Sequence, residues 1–254
     1  MTAEKMDTGL LKNAPLKEVI FELHWELEYI PEQKIQIDEG FEEAAINFKS
    51  ACQQDFKVVE ILKPSSIPYY AFSHQVTHRF FKEKGQYPLY QFGPGVFTVN
   101  DNNKNYKWAD FSHLILNGIG CLKNSYSKPL VLSKIELRYV DAVAVNALGD
   151  TNKFEFLKNH LKVNAEGYEF VDGQLEDINF TKRFSITDDL YLNMIIATAI
   201  EKETKGDGVT WQTFINNKKR LSWEELPSWI EEAHTIASGT FKNMLSDELY
   251  KHFS

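Results

Sequence analysis

His74 and His78 stand four residues apart, the spacing at which two imidazoles share one face of a helix and can hold a metal ion. The flanking Tyr69-Tyr70-Ala71-Phe72 and Val76-Thr77 read instead as strand, which separates the rings by about 13 Å. No nearby carboxylate completes a ligand set, so no metal is expected. His24, His113, His160, His234 and His252 stand alone, as packed or capping histidines commonly do. A nucleophilic serine or cysteine would need a strained turn of the Gly-x-Ser-x-Gly kind, and the chain has none. The glycine-rich stretch Gln91-Phe92-Gly93-Pro94-Gly95-Val96 lacks both the Lys-Ser/Thr of a phosphate loop and the third glycine of a dinucleotide fingerprint. It reads as a bulge or turn inside a hairpin, and no cofactor is expected.

Binding chemistry has better candidates. Within Ile135-Glu136-Leu137-Arg138-Tyr139-Val140-Asp141, strand alternation puts Glu136 and Arg138 on one face and Leu137, Tyr139 and Asp141 on the other. An arginine in a central strand is costly unless paired, so Arg138 is expected either in an ion pair bracing two halves or as an anion anchor in a cleft. Tyr106, Trp108, Trp211 and Trp223 offer broad apolar rings with polar tips, suited to stacking on a flat ligand and equally to packing helix on sheet. The residues expected to bind a ligand are Arg138, Tyr139, Tyr106, Trp108 and Trp211.

The elements that would position them repeat. Phe97-Thr98-Val99-Asn100, a polar loop and Trp108-Ala109-Asp110-Phe111 recur as Thr213-Phe214-Ile215-Asn216, a loop and Trp223-Glu224-Glu225-Leu226, with Asn-to-Trp gaps of eight and seven residues. Around them the periodicity predicts, in order, a strand over 15–29, a helix from Pro31 to about Asp55, strands over 56–62, 69–81 and 89–99, and a helix from Trp108. A second series follows: a strand over 130–145, a helix over 152–161, strand runs over 167–171 and 175–186, 190–200 and 208–215, and a last helix. Ser222 and Glu225 form a capping-box signature for that helix, and Pro227 suits its first turn. The expected fold is α+β, with β-α-β-β-β-α halves over 14–128 and 129–250 joined about a pseudo-two-fold axis. They would make one mainly antiparallel sheet with helices packed on it, a single unit over 1–254.

Composition narrows the partners. With 254 residues, 43% of them hydrophobic, the chain can bury a substantial core without staples. A formal net charge of -8 disfavours a nucleic-acid partner, and Lys218-Lys219-Arg220 reads as a solvated turn cluster. Cys52 and Cys121 read as small buried hydrophobes. Neither a secretory signal nor an apolar run of about 20 residues is found, so a cytoplasmic protein off the membrane is expected.

At Ala14-Pro15-Leu16-Lys17-Glu18-Val19, Phe92-Gly93-Pro94-Gly95-Val96-Phe97-Thr98-Val99-Asn100, Tyr106-Lys107-Trp108, Leu137-Arg138-Tyr139-Val140-Asp141 and Trp229-Ile230-Glu231-Glu232-Ala233-His234, the chain resembles a sporadically distributed prokaryotic family of uncharacterised proteins. The resemblance implies accessory genes, such as mobile-element or phage-defence systems, and carries no catalytic residue. The reading that follows is a non-enzymatic module holding a small molecule or a protein partner. Two alternatives stand beside it. One is a hydrolase or nuclease accessory subunit that gathers Asp, Glu and His from several strands, and the other is an assembly subunit, for which a homodimer would suffice.

Overall fold

The computed structural model describes residues 11–164, 172–173, 175–201 and 204–254. Strand β1 (Leu16–Trp25) alternates as its sequence dictates, with Val19, Phe21, Leu23 and Trp25 wholly buried on one face. Two short strands, β2 (Glu28–Ile30) and β3 (Ile35–Ile37), then form a hairpin where the start of a helix was expected. Gln33 N donates back to Ile30 O across the turn opened by Pro31, and Gly40 in a left-handed conformation (φ 85°) sets the true start of helix α1 (Phe41–Cys52). Ile37 therefore belongs to a strand, and the helical stripe begins at Phe41.

The next stretch departs from the expected three strands. Helix α1 leads to β4 (Val58–Ile61), but Tyr69–Phe72 is a single 3-10 turn after Pro68, and β5 spans only His78–Phe81. His74 has a left-handed backbone (φ 57°), which breaks the run of aromatics that reads as strand. The run over 89–99 divides at Gly93-Pro94-Gly95 into β6 (Leu89–Gly93) and β7 (Val96–Asp101), a hairpin with its turn where the glycines predict one. The first half thus carries four strands after α1 and closes with α2 (Trp108–Ser125), whose Phe111, Ile115, Ile119 and Leu122 face inward.

The second half follows its expected order more closely. Strand β8 (Leu132–Ala144) leads to α3 (Lys153–His160), capped by Asn152, and then to β9 (Asn179–Ser185), β10 (Leu190–Ile200) and β11 (Asp207–Asn217). The strand expected over 167–171 lies outside the described residues. The last long helix, α4 (Leu226–Met244), starts just after Glu225, whose carboxylate accepts from Ser222 N at 2.7 Å and from Ser222 Oγ at 2.8 Å. Only the returning half of a capping box is made, one turn ahead of the helix. A short α5 (Asp247–Phe253), which the periodicity does not predict, follows with Ser246 as its cap.

All the large-sheet pairings are antiparallel, in the order β4-β5-β6-β7-β1-β8-β11-β10-β9. The connections on the two sides of the central β1/β8 pair correspond: each first strand is flanked by the last strand of its half, with the preceding strands stepping outward.

The five α-helices of the described residues cover one face of this sheet. Phe48 of α1 packs on Phe80, Phe92 and Phe97 with ring centroids 5.0, 5.2 and 5.6 Å apart, each pair adding about 0.5–1.5 kcal/mol to the burial of the rings. That core spans β1, α1, α2 and the first turns of α4, while α3, α5, β10 and the far end of β11 enclose a second one around Phe156, Trp211 and Phe253. No helix among the described residues is long and apolar enough to cross a membrane.

Candidate functional site

Strand β8 runs through the middle of the sheet, and its alternation sends Arg138 and Tyr139 to opposite faces. Tyr139 faces the helices. Its hydroxyl lies 2.8 Å from His234 Nδ1 on α4 and 3.3 Å from Tyr106 Oη. Trp108, first residue of α2, lies flat on the His234 ring at 3.9 Å with only 6° between planes, and its Nε1 donates to Glu231 at 2.9 Å. Burial holds the His234 imidazole down to about 4, so it is neutral at pH 7, and burial pushes the Tyr106 and Tyr139 phenols above their ordinary value.

Three expected site residues, Tyr106, Trp108 and Tyr139, therefore converge, joined by His234 and Glu231. The ring stack and hydrogen bonds tie α2, α4 and β8 into one block, which is the helix-on-sheet role those aromatics equally suited. Changing Tyr139 to Phe leaves Tyr106 Oη and His234 Nδ1 without this partner. The variant is expected to lose about 1–3 kcal/mol of stability in urea denaturation, with little loss if the two groups find water instead.

Two residues farther along the same face lies Asp141, in register with Trp211 on β11. Asp141 is 4% exposed, and its carboxyl has no hydrogen-bond partner among the described residues. Burial pushes it up to about 7, with Lys17 opposing. Trp211 is wholly enclosed in the second core, beside Phe241, and its Nε1 also lacks an acceptor. It stands apart from the other expected site residues, as an interior ring.

Arg138 faces the side of the sheet that no helix among the described residues covers. Its Nε and Nη2 donate to Glu136 Oε1 at 2.9 and 2.5 Å, and its guanidinium lies 4.4 Å above the Phe214 ring. The pair is made within one strand, so the expected brace between halves is supplied by a neighbour: Lys134 Nζ reaches Glu136 at 3.2 Å and Glu22 of β1 at 2.9 Å. Hydrogen bonds from Lys134 and His24 outweigh burial at Glu22 and hold its carboxyl down at about 2.

The network continues outward from this pair. Asn216 Nδ2 donates to Glu136 at 2.7 Å, Asn193 Nδ2 to Asn216 at 2.7 Å, and Arg183 Nε to Asn193 at 2.7 Å. On the other side Arg79 donates to Gln91, Gln91 to Thr98 and Asn100, and Asn100 to Glu18. One register row reads Glu60, Arg79, Gln91, Thr98, Glu22, Glu136, Asn216, Tyr191 and Ser185, a polar side chain on each of the nine strands.

His74 and His78 are not partners. His74 approaches His24 and the Gly95 carbonyl, whereas His78 stacks on Tyr69 and meets Thr77 Oγ1 at 3.0 Å. Among the described residues no three His, Cys, Asp or Glu side chains are grouped to hold a metal ion. Two surface depressions stand out. One, of about 340 Å³, adjoins Asn152, Lys153 and Asp207, and the other, of about 400 Å³, lies between α1 and α2 beside Cys52 and Cys121; neither reaches Arg138 or Tyr139.

His234 and Glu231 escaped the sequence reading because their contacts span 95 and 123 residues of chain. The one available signal was Trp229-Ile230-Glu231-Glu232-Ala233-His234, part of the resemblance. Comparison with protein-family models, with curated proteins and with solved structures returns no match.

Proposed function

We propose that the chain is a non-enzymatic binding protein that meets a partner protein on the helix-free face of its sheet. The observation that carries this reading is the polar row crossing nine strands, on the face opposite all five helices. A helix-free sheet face needs polar side chains where it meets water, but it does not need them linked from strand to strand; in this row Thr98 and Glu136 are buried within the network and the other seven side chains are partly or fully exposed. Here the links fix donors and acceptors in place, which lowers the ordering cost of an encounter. Arg138 is the central contact residue in this reading. Tyr106, Trp108 and Tyr139 support the sheet from behind, and a polar row spread over nine strands suits a macromolecule better than a small metabolite. The corresponding connections about β1 and β8 support one unit used twice, with a fourth strand after the helix in the first copy, and an accessory or phage-defence system is the setting the family resemblance suggests.

Site-specific photo-crosslinking tests the reading. A benzophenone side chain at Gln212, which shares the open face, is expected to give a discrete adduct in producing cells, competed away by unlabelled protein. The same group at Ile46, exposed on α1, is expected to give none. Equal labelling from both positions sinks the proposal.

A further inference from the structure

We propose that β9 is a strand-addition site for an extended acidic segment of a partner protein. The inference rests on the partner-binding reading and names the chemistry of the partner. Strand β9 ends the sheet, and among the described residues it pairs only with β10. Six of its seven residues are exposed, Phe180 being the exception, so its outer edge offers unpaired backbone donors and acceptors. Its sequence, Asn-Phe-Thr-Lys-Arg-Phe-Ser, holds two adjacent cations and no carboxylate.

Charge on this edge is left open, unlike its surroundings. Arg183 projects to the helix-free face beside Asn193, and Lys182 projects to the other. Lys218, just beyond β11, reaches over to Ser185 Oγ at 2.6 Å and to the Thr187 carbonyl. Arg183 and Lys218 both lie over the Tyr191 ring, at 5.2 and 4.5 Å. None of the three cations has a carboxylate within ion-pair distance among the described residues, whereas neighbouring Lys219 and Arg220 are neutralised by Asp189 and Glu26. A local cationic edge on a chain of net charge -8 selects for an acidic occupant.

The form of the occupant follows from the remaining groups. Charged residues on an edge strand commonly ward off pairing, but here Phe184 and Ile186 stand beside them, each 43% exposed. An added strand would satisfy the backbone edge, place carboxylates near Arg183 and Lys218 on one face, and cover Phe184 on the other. A second copy of β9 is disfavoured, because antiparallel self-pairing about the central Lys182 sets Lys182 and Arg183 of both chains together. A phosphate backbone would answer the charges but not the strand's N–H and C=O groups.

The probe is a fluorescent peptide alternating valine and glutamate over about ten residues, long enough to span β9. Anisotropy is expected to show binding that weakens as salt rises, with hydrogen exchange slowed at 179–185. A peptide of the same charge interrupted by prolines, and the Lys182→Glu/Arg183→Glu double variant with an unchanged melting curve, are each expected to bind about tenfold more weakly. Equal binding of the proline peptide would overturn the proposal, as would no binding of the acidic peptide. Tighter binding of oligothymidylate would do so too, as would a dimer in light scattering that already protects β9. Loss of peptide binding with the Gln212 adduct retained removes this site alone, while loss of both removes the partner-binding reading as well.

Discussion

Replacing Asp141 with Asn is expected to raise stability at about pH 8 by about 2–4 kcal/mol while changing it little at about pH 4. The carboxyl is buried, has no hydrogen-bond donor among the described residues, and is pushed from 3.8 up to about 7. Below its ordinary value both the folded and unfolded chains carry the proton, and the group contributes no pH dependence. Between about pH 4 and 7 the unfolded chain releases the proton and the folded chain keeps it, so stability falls as pH rises; above 7 both states are ionised and the deficit is constant. A rise from 3.8 to about 7 corresponds to about 4 kcal/mol, and the unsatisfied amide of the replacement returns part of that. Urea denaturation of both proteins across this range reads the difference directly. A gap between them that does not widen from pH 4 to 7 would show that Asp141 has found a donor or lies open to water.

The position of Asp141 gives that deficit a meaning. It sits where the two apolar cores meet, between Leu16 on β1 and Trp211 on β11, and on the same face as the Tyr139–His234 block. Neither core closes over it with a polar partner. Glu22, on the opposite face, shows the contrasting design, with Lys134 and His24 placed to keep it charged. Its contribution is present above about pH 4.5 and is lost as pH falls toward 2, opposite in sign to that of Asp141.

Periodicity carried much of the fold. Helices α2 and α4 and strands β8, β10 and β11 declare themselves because each buries one regular face, and β10 runs from Leu190 to Ile200 as the alternation predicts. Segments ruled by a single backbone conformation were hidden. Gly40 and His74, both left-handed, decide where α1 starts and why Tyr69–Phe72 is a turn, and a run of aromatics carries no trace of either. The candidate surface was legible as far as one strand extends: alternation alone sets Glu136 beside Arg138. Asn216, Asn193 and Arg183 complete the row only once register is fixed, and register depends on which turns close the hairpins. Grouping Trp211 with Trp108 rested on residue type, and burial separates them.

Gly93→Ala is expected to cost about 3 kcal/mol or more, enough to leave little folded protein at 37 °C in a chain of ordinary stability. The glycines of Gly93-Pro94-Gly95 read as turn formers, and Gly95, with φ 76°, is one. Gly93 is required for a different reason: a Cβ there would lie 1.9 Å from the Gln75 carbonyl oxygen, 2.8 Å from its carbon and 3.0 Å from Val76 Cα. That backbone cannot step aside cheaply, because His74 N donates to Pro94 O at 2.7 Å and Thr77 N to Phe92 O at 3.0 Å, pinning the crossing segment on both sides of Gln75. Relief would break one of these bonds or displace the end of the β6–β7 hairpin, next to the Trp25 and Phe92 rings that pack at 6.1 Å. Thermal unfolding of the variant measures the cost, and amide exchange at Thr77 locates it. A loss below about 1 kcal/mol would mean that the crossing segment yields, and that Gly93 serves the turn alone.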